Sequence, residues 1–343
     1  MNSGIKISVD CGFTKIYVIG VGGEGGNAIN LFKKQHPGQN IKTIAINTDN
    51  QDLEKSMADE TLLLGREITN GRGTGANPTV AEDIAEKEIE RIEEMVADAD
   101  MVIICAGLGG GTGSGVSPVI ARAAKKRGVL TLSVVTVPFA FEGGMKIKIA
   151  KDYLQKLKEL SDSVIVIPNW KLIKEKGLGM KKAFEWGNEI FSTSIQVISD
   201  IINSAQLMNV DFEDIKTVLK DSKEAYISMA KITKNMESTG RAKGEVLVEE
   251  LMNFPLIDAD TIKNISKAVL FIEMDENEDA TIMDEVQASI MQYIKPNSLI
   301  IPGMDLKENF NEVRLTLIAG DFEREDSEYY FSGITDVGTT KGN

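Results

Sequence analysis

Gly107-Leu108-Gly109-Gly110-Gly111-Thr112-Gly113-Ser114-Gly115 is the stretch that decides the fold. Six of its nine residues are glycine, and two of the others carry hydroxyls. The apolar run 101–106 precedes it as an expected strand, and a helix is expected to follow to about Arg127. Ordering so many glycines costs backbone entropy, so the loop is a poor plain connector. Successive N–H groups, with the Thr112 and Ser114 hydroxyls, can wrap a di- or triphosphate.

Two more loops share this pattern. Gly20-Val21-Gly22-Gly23-Glu24-Gly25-Gly26-Asn27 follows an expected strand at 15–21 and leads into a helix from about Asn27. It holds G-x-G-x-x-G between strand and helix, the context that motif needs. The helix N-terminus offers unpaired N–H groups and a positive dipole end to an anion. Asp49, after the strand 41–47, stands about where a dinucleotide-binding fold keeps its ribose carboxylate. Gly71-Arg72-Gly73-Thr74-Gly75-Ala76-Asn77-Pro78 opens a helix expected to run to about Ala97, with Pro78 suited to its first turn. Three such loops on one sheet edge point to a nucleotide polyphosphate in the crevice at the carboxyl ends of the strands. The P-loop pattern G-x-x-x-x-G-K-[ST] is absent. A nicotinamide-dependent dehydrogenase would use only the first loop and leave two unexplained.

Strands at 129–137 and 163–168, with a Lys-rich helix at 145–160 between them, extend the alternation. Continuous apolar strands alternating with helices predict a doubly wound, mainly parallel α/β sheet with helices on both faces. Residues 180–205 form a long helix in which Phe184, Phe191, Ile195, Ile198, Ile201 and Ile202 recur at helical spacing, which buries it between two masses. Beyond it, strands at 224–234, 268–274, 297–302 and 312–319 and helices near 243–253 and 279–293 read as a smaller α+β domain. The expected organisation is 1–178 for the nucleotide domain, 179–205 for a central helix, 206–320 for a C-terminal domain, and 321–343 for an acidic, partly disordered tail.

Composition limits the alternatives. The 343 residues carry a net charge of −14, which repels nucleic-acid backbones and anionic lipid. Two distant cysteines, Cys11 and Cys105, give neither a disulfide framework nor a zinc-ligand spacing, so no metal site is assigned and the chain reads as cytoplasmic. The single histidine, His36, lies in a polar stretch and reads as a solvated loop residue. No apolar run reaches the roughly 18 residues of a membrane span, so direct membrane insertion is not expected.

Asn209-Val210-Asp211-Phe212-Glu213-Asp214 follows the long helix. Asp211 can cap the next helix, with Asp214 three positions on. The same carboxylates could orient a water that attacks a phosphate. The long helix puts them on the far side of the molecule from a nucleotide near Phe184, so they could reach only a neighbouring subunit's nucleotide. A head-to-tail contact of that kind builds an open filament.

The loop 107–115 resembles the tubulin signature G-G-G-T-G-[ST]-G. Residues 18–27, Asn47-Thr48-Asp49, 73–78, Pro138-Phe139-Ala140-Phe141-Glu142-Gly143, Ile167-Pro168-Asn169 and 207–214 resemble the FtsZ family of division GTPases, in order and spacing, over roughly residues 15–320. The resemblance implies a tubulin/FtsZ-like fold that binds GTP or GDP with Mg²⁺. It also implies that Gly22, Gly23, Glu24, Gly25, Gly26, Asn27, Asn47, Gly75, Ala76, Asn77, Gly107, Gly109, Gly110, Gly111, Thr112, Gly113, Pro138 and Lys146 surround the nucleotide. Glu142 would bind ribose, Asn169 would sit by the sugar or base, Phe184 would stack on guanine, and Asn188 and Glu189 would lie at the base. Asp211 and Asp214, with Asn209, would complete the catalytic site of the adjoining protomer. The partners implied are further copies of the chain and division or membrane-anchor proteins. The place implied is the cytoplasm, at a midcell ring.

Departures from the pattern are local. Glu24 stands where FtsZ carries glycine and tubulins usually Gln, Glu189 where FtsZ usually has Asp, and Trp170 where Asp usually follows Ile-Pro-Asn. Gly144-Met145 replaces a basic pair, and Lys146 stands where Arg is expected. No peptide resembling the FtsZ anchor-docking segment is visible after Asp321, which implies a trimmed chain or a specialised paralogue that does not use those anchors. With Glu24 and Lys146, the alternative is a filament-forming paralogue with slow turnover and a non-division cytoskeletal or regulatory role.

Overall fold

The computed structural model describes residues 14–172, 180–203, 207–233, 241–254, 262–321 and 327–331. The first half alternates strand and helix. In chain order it runs β1 (Ile16–Val21), α1 (Gly22–Gln35), β2 (Lys42–Asn47), α2 (Asn50–Leu53), β3 (Glu60–Leu63), α3 (Arg66–Thr69), α4 (Pro78–Lys87), α5 (Ile89–Met95), β4 (Met101–Gly107) and α6 (Thr112–Lys126). Then come β5 (Leu130–Val137), α7 (Gly144–Leu160), β6 (Ser163–Pro168), α8 (Asn169–Leu172) and the 24-residue α9 (Met180–Asn203). The second half holds α10 (Phe212–Leu219), β7 (Lys223–Thr233), α11 (Lys243–Met252), β8 (Lys267–Asp275), α12 (Thr281–Ile290), β9 (Leu299–Lys307) and β10 (Glu312–Gly320).

Ten strands line up in the order β3-β2-β1-β4-β5-β6-β7-β10-β8-β9. The six strands β1–β6 are all parallel, as expected from their unbroken apolar sequences. Alternate residues feed two cores. Ile16 and Val18 of β1, with Met101, Ile103 and Cys105 of β4, face the core shared with α1, α9 and the second half. Tyr17, Ile19, Val102, Ile104 and Ala106 face the core under α4–α7. That period of two is why such strands must be apolar throughout. The second half is joined to the first by a seam of only two residue pairs, Ser163–Lys223 and Val164–Glu224. There β10 runs antiparallel to both β7 and β8, giving the smaller α+β arrangement.

The expected stripe on α9 is buried: Phe191, Ile195, Ile198 and Ile201 all pack into the core that both halves share. The side chain of Phe184 lies outside the described residues.

Besides the unexpected edge strand β3 and the short helices α2, α3 and α8, four features differ from the sequence reading. First, α1 begins at Gly22 rather than near Asn27. Glycine propensity argues for a loop, but packing overrides it. A Cβ on Gly25 would collide with the Cys105 carbonyl of β4, so only glycine lets the helix start this close to the sheet. Second, the helix expected over 78–97 breaks at Glu88. The Glu88 carboxylate accepts from the Gly65 N–H (2.6 Å) and ties the break to the preceding loop. Third, His36 is no free loop residue. Its N–H caps α1 by donating to the Phe32 carbonyl, and its ring lies 5.3 Å from that of Phe32. Fourth, part of the tail is packed. Residues 327–331 form a 3-10 turn that buries Tyr330 and Phe331 in the core under α4–α7.

Candidate functional site

The carboxyl ends of the parallel strands open into a cleft of about 360 Å³. Val21–Glu24 line it from the β1–α1 turn, and Asn47, Asp49 and Asp52 from the end of β2 and α2. Residues 72–76 close one wall. Gly107, Leu108 and Gly110–Gly113 form the floor, and Pro138, Glu142 and Lys146 form the far rim.

The backbone suits a polyanion. Neither α1 nor α6 has a side-chain cap, so the first N–H groups of two long helices lie open at the cleft. The two helix starts touch: a Cβ on Gly22 would sit 3.1 Å from the Gly113 nitrogen. Gly110, Gly26 and Gly75 face open space, whereas a Cβ on Gly107, Gly111 or Gly113 would strike a neighbour. The glycines thus divide into those against which neighbouring groups pack closely and those that leave room for a ligand. Thr74 Oγ1 is buried without a hydrogen-bond partner in the same wall. A buried hydroxyl left unpaired is costly, and a phosphate oxygen would satisfy it.

Side chains brace the frame. Asn47 accepts from the N–H groups of Thr48 (2.8 Å) and Asp49 (3.2 Å), shaping the turn that follows β2. The hydroxyls of Thr48 and Thr112 lie 2.7 Å apart, linking that turn to the start of α6. Ser114 does not face a ligand, contrary to the expectation for its hydroxyl. It is fully buried, and Oγ accepts from the Gly109 N–H at 2.9 Å.

Charge is less accommodating. Four carboxylates (Glu24, Asp49, Asp52, Glu142) line the cleft beside two cations, Arg72 and Lys146. The Lys146 ammonium pairs with Glu142 at 2.8 Å, and Glu142 also accepts from the Phe139 N–H at 2.9 Å. Glu24 accepts a hydrogen bond from the Thr136 hydroxyl at 2.5 Å. Burial pushes its carboxyl above the ordinary range, with the Thr136 hydrogen bond pulling against it. Burial also pushes the Cys105 thiol up to about 12, so this cysteine is inert packing under Gly25. Among the described residues no group of three or more His, Cys, Asp or Glu is placed to hold a metal.

Several expected site residues lie elsewhere. Gly26 and Asn27 line an adjoining hollow of about 150 Å³ that shares Gly22, Gly23, Asn47 and Asp52 with the cleft. Gly25 faces β4, and Asn77 caps α4 by accepting from the Thr79 and Val80 N–H groups. Gly109, at φ +97°, lets the loop approach the Lys146 backbone. Asn169 is buried at the start of α8, Asn188 is half-buried and Glu189 exposed on α9; none of these lines the cleft. The side chain of Phe184 and residues 173–179 fall outside the described residues. Missed by the sequence reading were Asp52, one turn after Asp49, and Thr136, two residues before Pro138; neither belongs to a motif.

Asp211, Asp214 and Asn209 are remote. Ser192 donates to Gln35 (2.6 Å) and Ser199 to Gln39 (3.0 Å), so α9 runs beside α1 and away from the cleft. Its 24 residues cover about 36 Å. At its far end the Asp211 N–H donates to Asp214 Oδ2 (3.0 Å) and the Asp214 N–H to Asp211 Oδ1 (3.1 Å), a reciprocal capping box.

Comparison with known proteins agrees with this architecture. The profile of the Tubulin/FtsZ family, GTPase domain, matches residues 15–177. The cell division protein FtsZ of Aquifex aeolicus is 38% identical over 314 residues, covering 91% of this chain and 84% of that protein. FtsZ 1 of Methanocaldococcus jannaschii is 37% identical over 306 residues, covering 89% and 82%. A structure of an empty FtsZ dimer from M. jannaschii superposes with a TM-score of 0.80 at 36% identity, covering 90% of this chain and 88% of that one. The matches to these relatives extend through both halves of the chain, which belongs to the tubulin/FtsZ family of GTPases.

Proposed function

We propose that this GTPase assembles head to tail and hydrolyses GTP where one subunit's cleft meets the next subunit's carboxylates. GTP hydrolysis follows from family membership; the proposal concerns where it occurs. In this reading Gly22, Gly23, Gly110–Gly113 and Thr74 hold the phosphates, and Glu142 the ribose. Asn169, Phe184, Asn188 and Glu189 serve the base. The open N-termini of α1 and α6 and the unpaired Thr74 hydroxyl fit a phosphate chain. Mg²⁺ would enter with the phosphates and offset their charge, since among the described residues no acidic cluster is placed to hold it alone.

The observation that carries the reading is the placement of Asp211 and Asp214. They cap each other's N–H groups at one end of α9, while the cleft opens at the other. In this reading they serve a neighbouring subunit's nucleotide and not that of their own chain. Exposed apolar side chains flank both ends: Phe141 and Met145 at the cleft rim, Leu207 and Met208 beside Asn209. In this reading those residues meet the neighbouring subunit. The domain scheme follows: 1–178 binds GTP, 179–205 spans, and 206–320 presents the carboxylates. A role in division, in the cytoplasm and at a midcell ring with anchor proteins, is the role its relatives' names suggest. A slow-turnover filament is the second reading, favoured by Glu24 in the cleft and by the Glu142–Lys146 pair, which occupies the rim cation.

The test is GTP hydrolysis against protein concentration, with light scattering in the same cuvette and Mg²⁺ present. Activity per chain should be near zero below a threshold and rise with scattering. Activity strictly proportional to protein, without scattering, would refute the shared site. Scattering without hydrolysis selects the slow filament.

A further inference from the structure

Glu24 occupies the first turn of α1, the helix end aimed at the cleft. Its side chain lies against the Gly107 backbone, where a Cβ would collide with the carboxylate. The Thr136 hydroxyl of β5 donates to Oε1 at 2.5 Å. The charged groups facing it from the other packed elements are Glu142, in the 3-10 turn 140–142, and Lys146, on α7. Lys146 is paired with Glu142 at 2.8 Å, so its charge is largely engaged. Asp49, Asp52 and Arg72 line the same cleft.

A carboxylate in this position repels a nucleotide's phosphates. The repulsion ends if the group is neutral. A neutral carboxyl accepts from Thr136 with one oxygen and donates its own proton with the other.

We propose that Glu24 is a proton-linked determinant of nucleotide binding: it meets the phosphate chain as the neutral acid, so a nucleotide that binds while free Glu24 is ionised takes up a proton from solvent. The proposal rests on the cleft being the nucleotide site. The cleft is already poised for it. Burial raises the Glu24 carboxyl above its ordinary range; the Thr136 bond lowers it, the Glu142 carboxylate raises it, and Lys146 lowers it. Bound phosphates raise it further. The sign is then fixed: the bound state holds the proton more tightly than the free state. Affinity is highest below the free-state transition of Glu24 and falls as pH rises through the bound-state one. The chemical consequence is a site that senses pH through a residue the FtsZ loop pattern replaces with glycine.

The test is calorimetric titration of the full chain with GDP at fixed Mg²⁺, in two buffers of different ionisation heat, from pH 5.5 to 8.5. Wild type is compared with Glu24→Gln and Glu24→Gly. The titration of GDP itself is common to all three and cancels. Wild type should take up up to about one proton more than either variant. Its dissociation constant should rise by up to about tenfold per pH unit more steeply, meeting the Gln variant at low pH. Two variants guard against one failing to fold. Equal proton uptake and parallel pH profiles would overturn the proposal and leave Glu24 as a carboxylate bridged by the cation. No GDP binding by folded wild type would instead overturn the cleft as the nucleotide site, and this inference with it.

Discussion

The cleft end and the far end of α9 are both built from helix N-termini, and they treat them in opposite ways. At the cleft, α1 and α6 begin without side-chain caps, leaving N–H groups open. At the far end, Asp211 and Asp214 close a capping box on α10, so the carboxylates and the amides satisfy each other. The first end is a site waiting for an anion. The second is closed within the chain, and in the reading proposed above its carboxylates take up a catalytic task when another subunit's nucleotide is brought to them. The difference teaches that one sequence signal can be structural within a chain and functional between chains.

The largest effect expected from breaking this contrast is on turnover. Asp211→Ala should lower GTP hydrolysis by about 100-fold or more, in the range for losing a positioned acid–base group. It should cost only about 1 kcal/mol of stability through the lost cap, and GDP affinity of the monomer should be unchanged. Steady-state turnover, urea denaturation and GDP titration on one preparation check this. Loss of monomer binding would place Asp211 in its own chain's site.

Next in size is a division within the glycines. Gly25→Ala puts a Cβ against the Cys105 carbonyl and should destabilise the fold by about 2–3 kcal/mol. Gly110→Val enters open space and should leave the denaturation midpoint near wild type while weakening GDP binding. Equal losses of stability in the two variants would erase the distinction between packing glycines and ligand glycines.

That distinction also marks how far the sequence could be read. The parallel sheet was legible because β1 and β4 are apolar at every position, which only burial on two faces explains. The three loops were legible because glycine density has few other causes. Which glycine does what was not legible, since Gly25 and Gly110 look alike until Cys105 is placed under one of them. The Ser114 hydroxyl could serve a ligand by its chemistry, and the family resemblance puts Asn77 at the phosphates; local backbone N–H groups claim both. Asp52 reaches the cleft, and the buried Thr136 reaches Glu24, only through the fold. Trp170 was the least legible: beside Asn169 it reads as damage to the nucleotide site, whereas its partner is a turn some 160 residues away.

That partner gives the smallest expected effect. The Trp170 Nε1–H donates to the Tyr330 carbonyl at 2.8 Å, and the Tyr330 hydroxyl donates to Glu224 at 2.6 Å. Glu224 is paired with Lys158 of α7 and sits on β7 at the two-pair seam between the halves. Lys151 lies 5.2 Å from the Phe331 ring and Lys171 4.6 Å from the Tyr329 ring. The turn 327–331 therefore straps the end of the second half onto the nucleotide half, beside the seam. Trp170→Phe keeps a ring and removes the indole donor from a carbonyl of a buried residue, costing about 1 kcal/mol. Hydrogen exchange should quicken at 327–331, with a thermal midpoint lower by only a few degrees and GDP affinity unchanged. If affinity or turnover falls instead while exchange in the strap is unaltered, Trp170 belongs to the cleft. The contrast between the two ends would then need a third contributor at the base of α8.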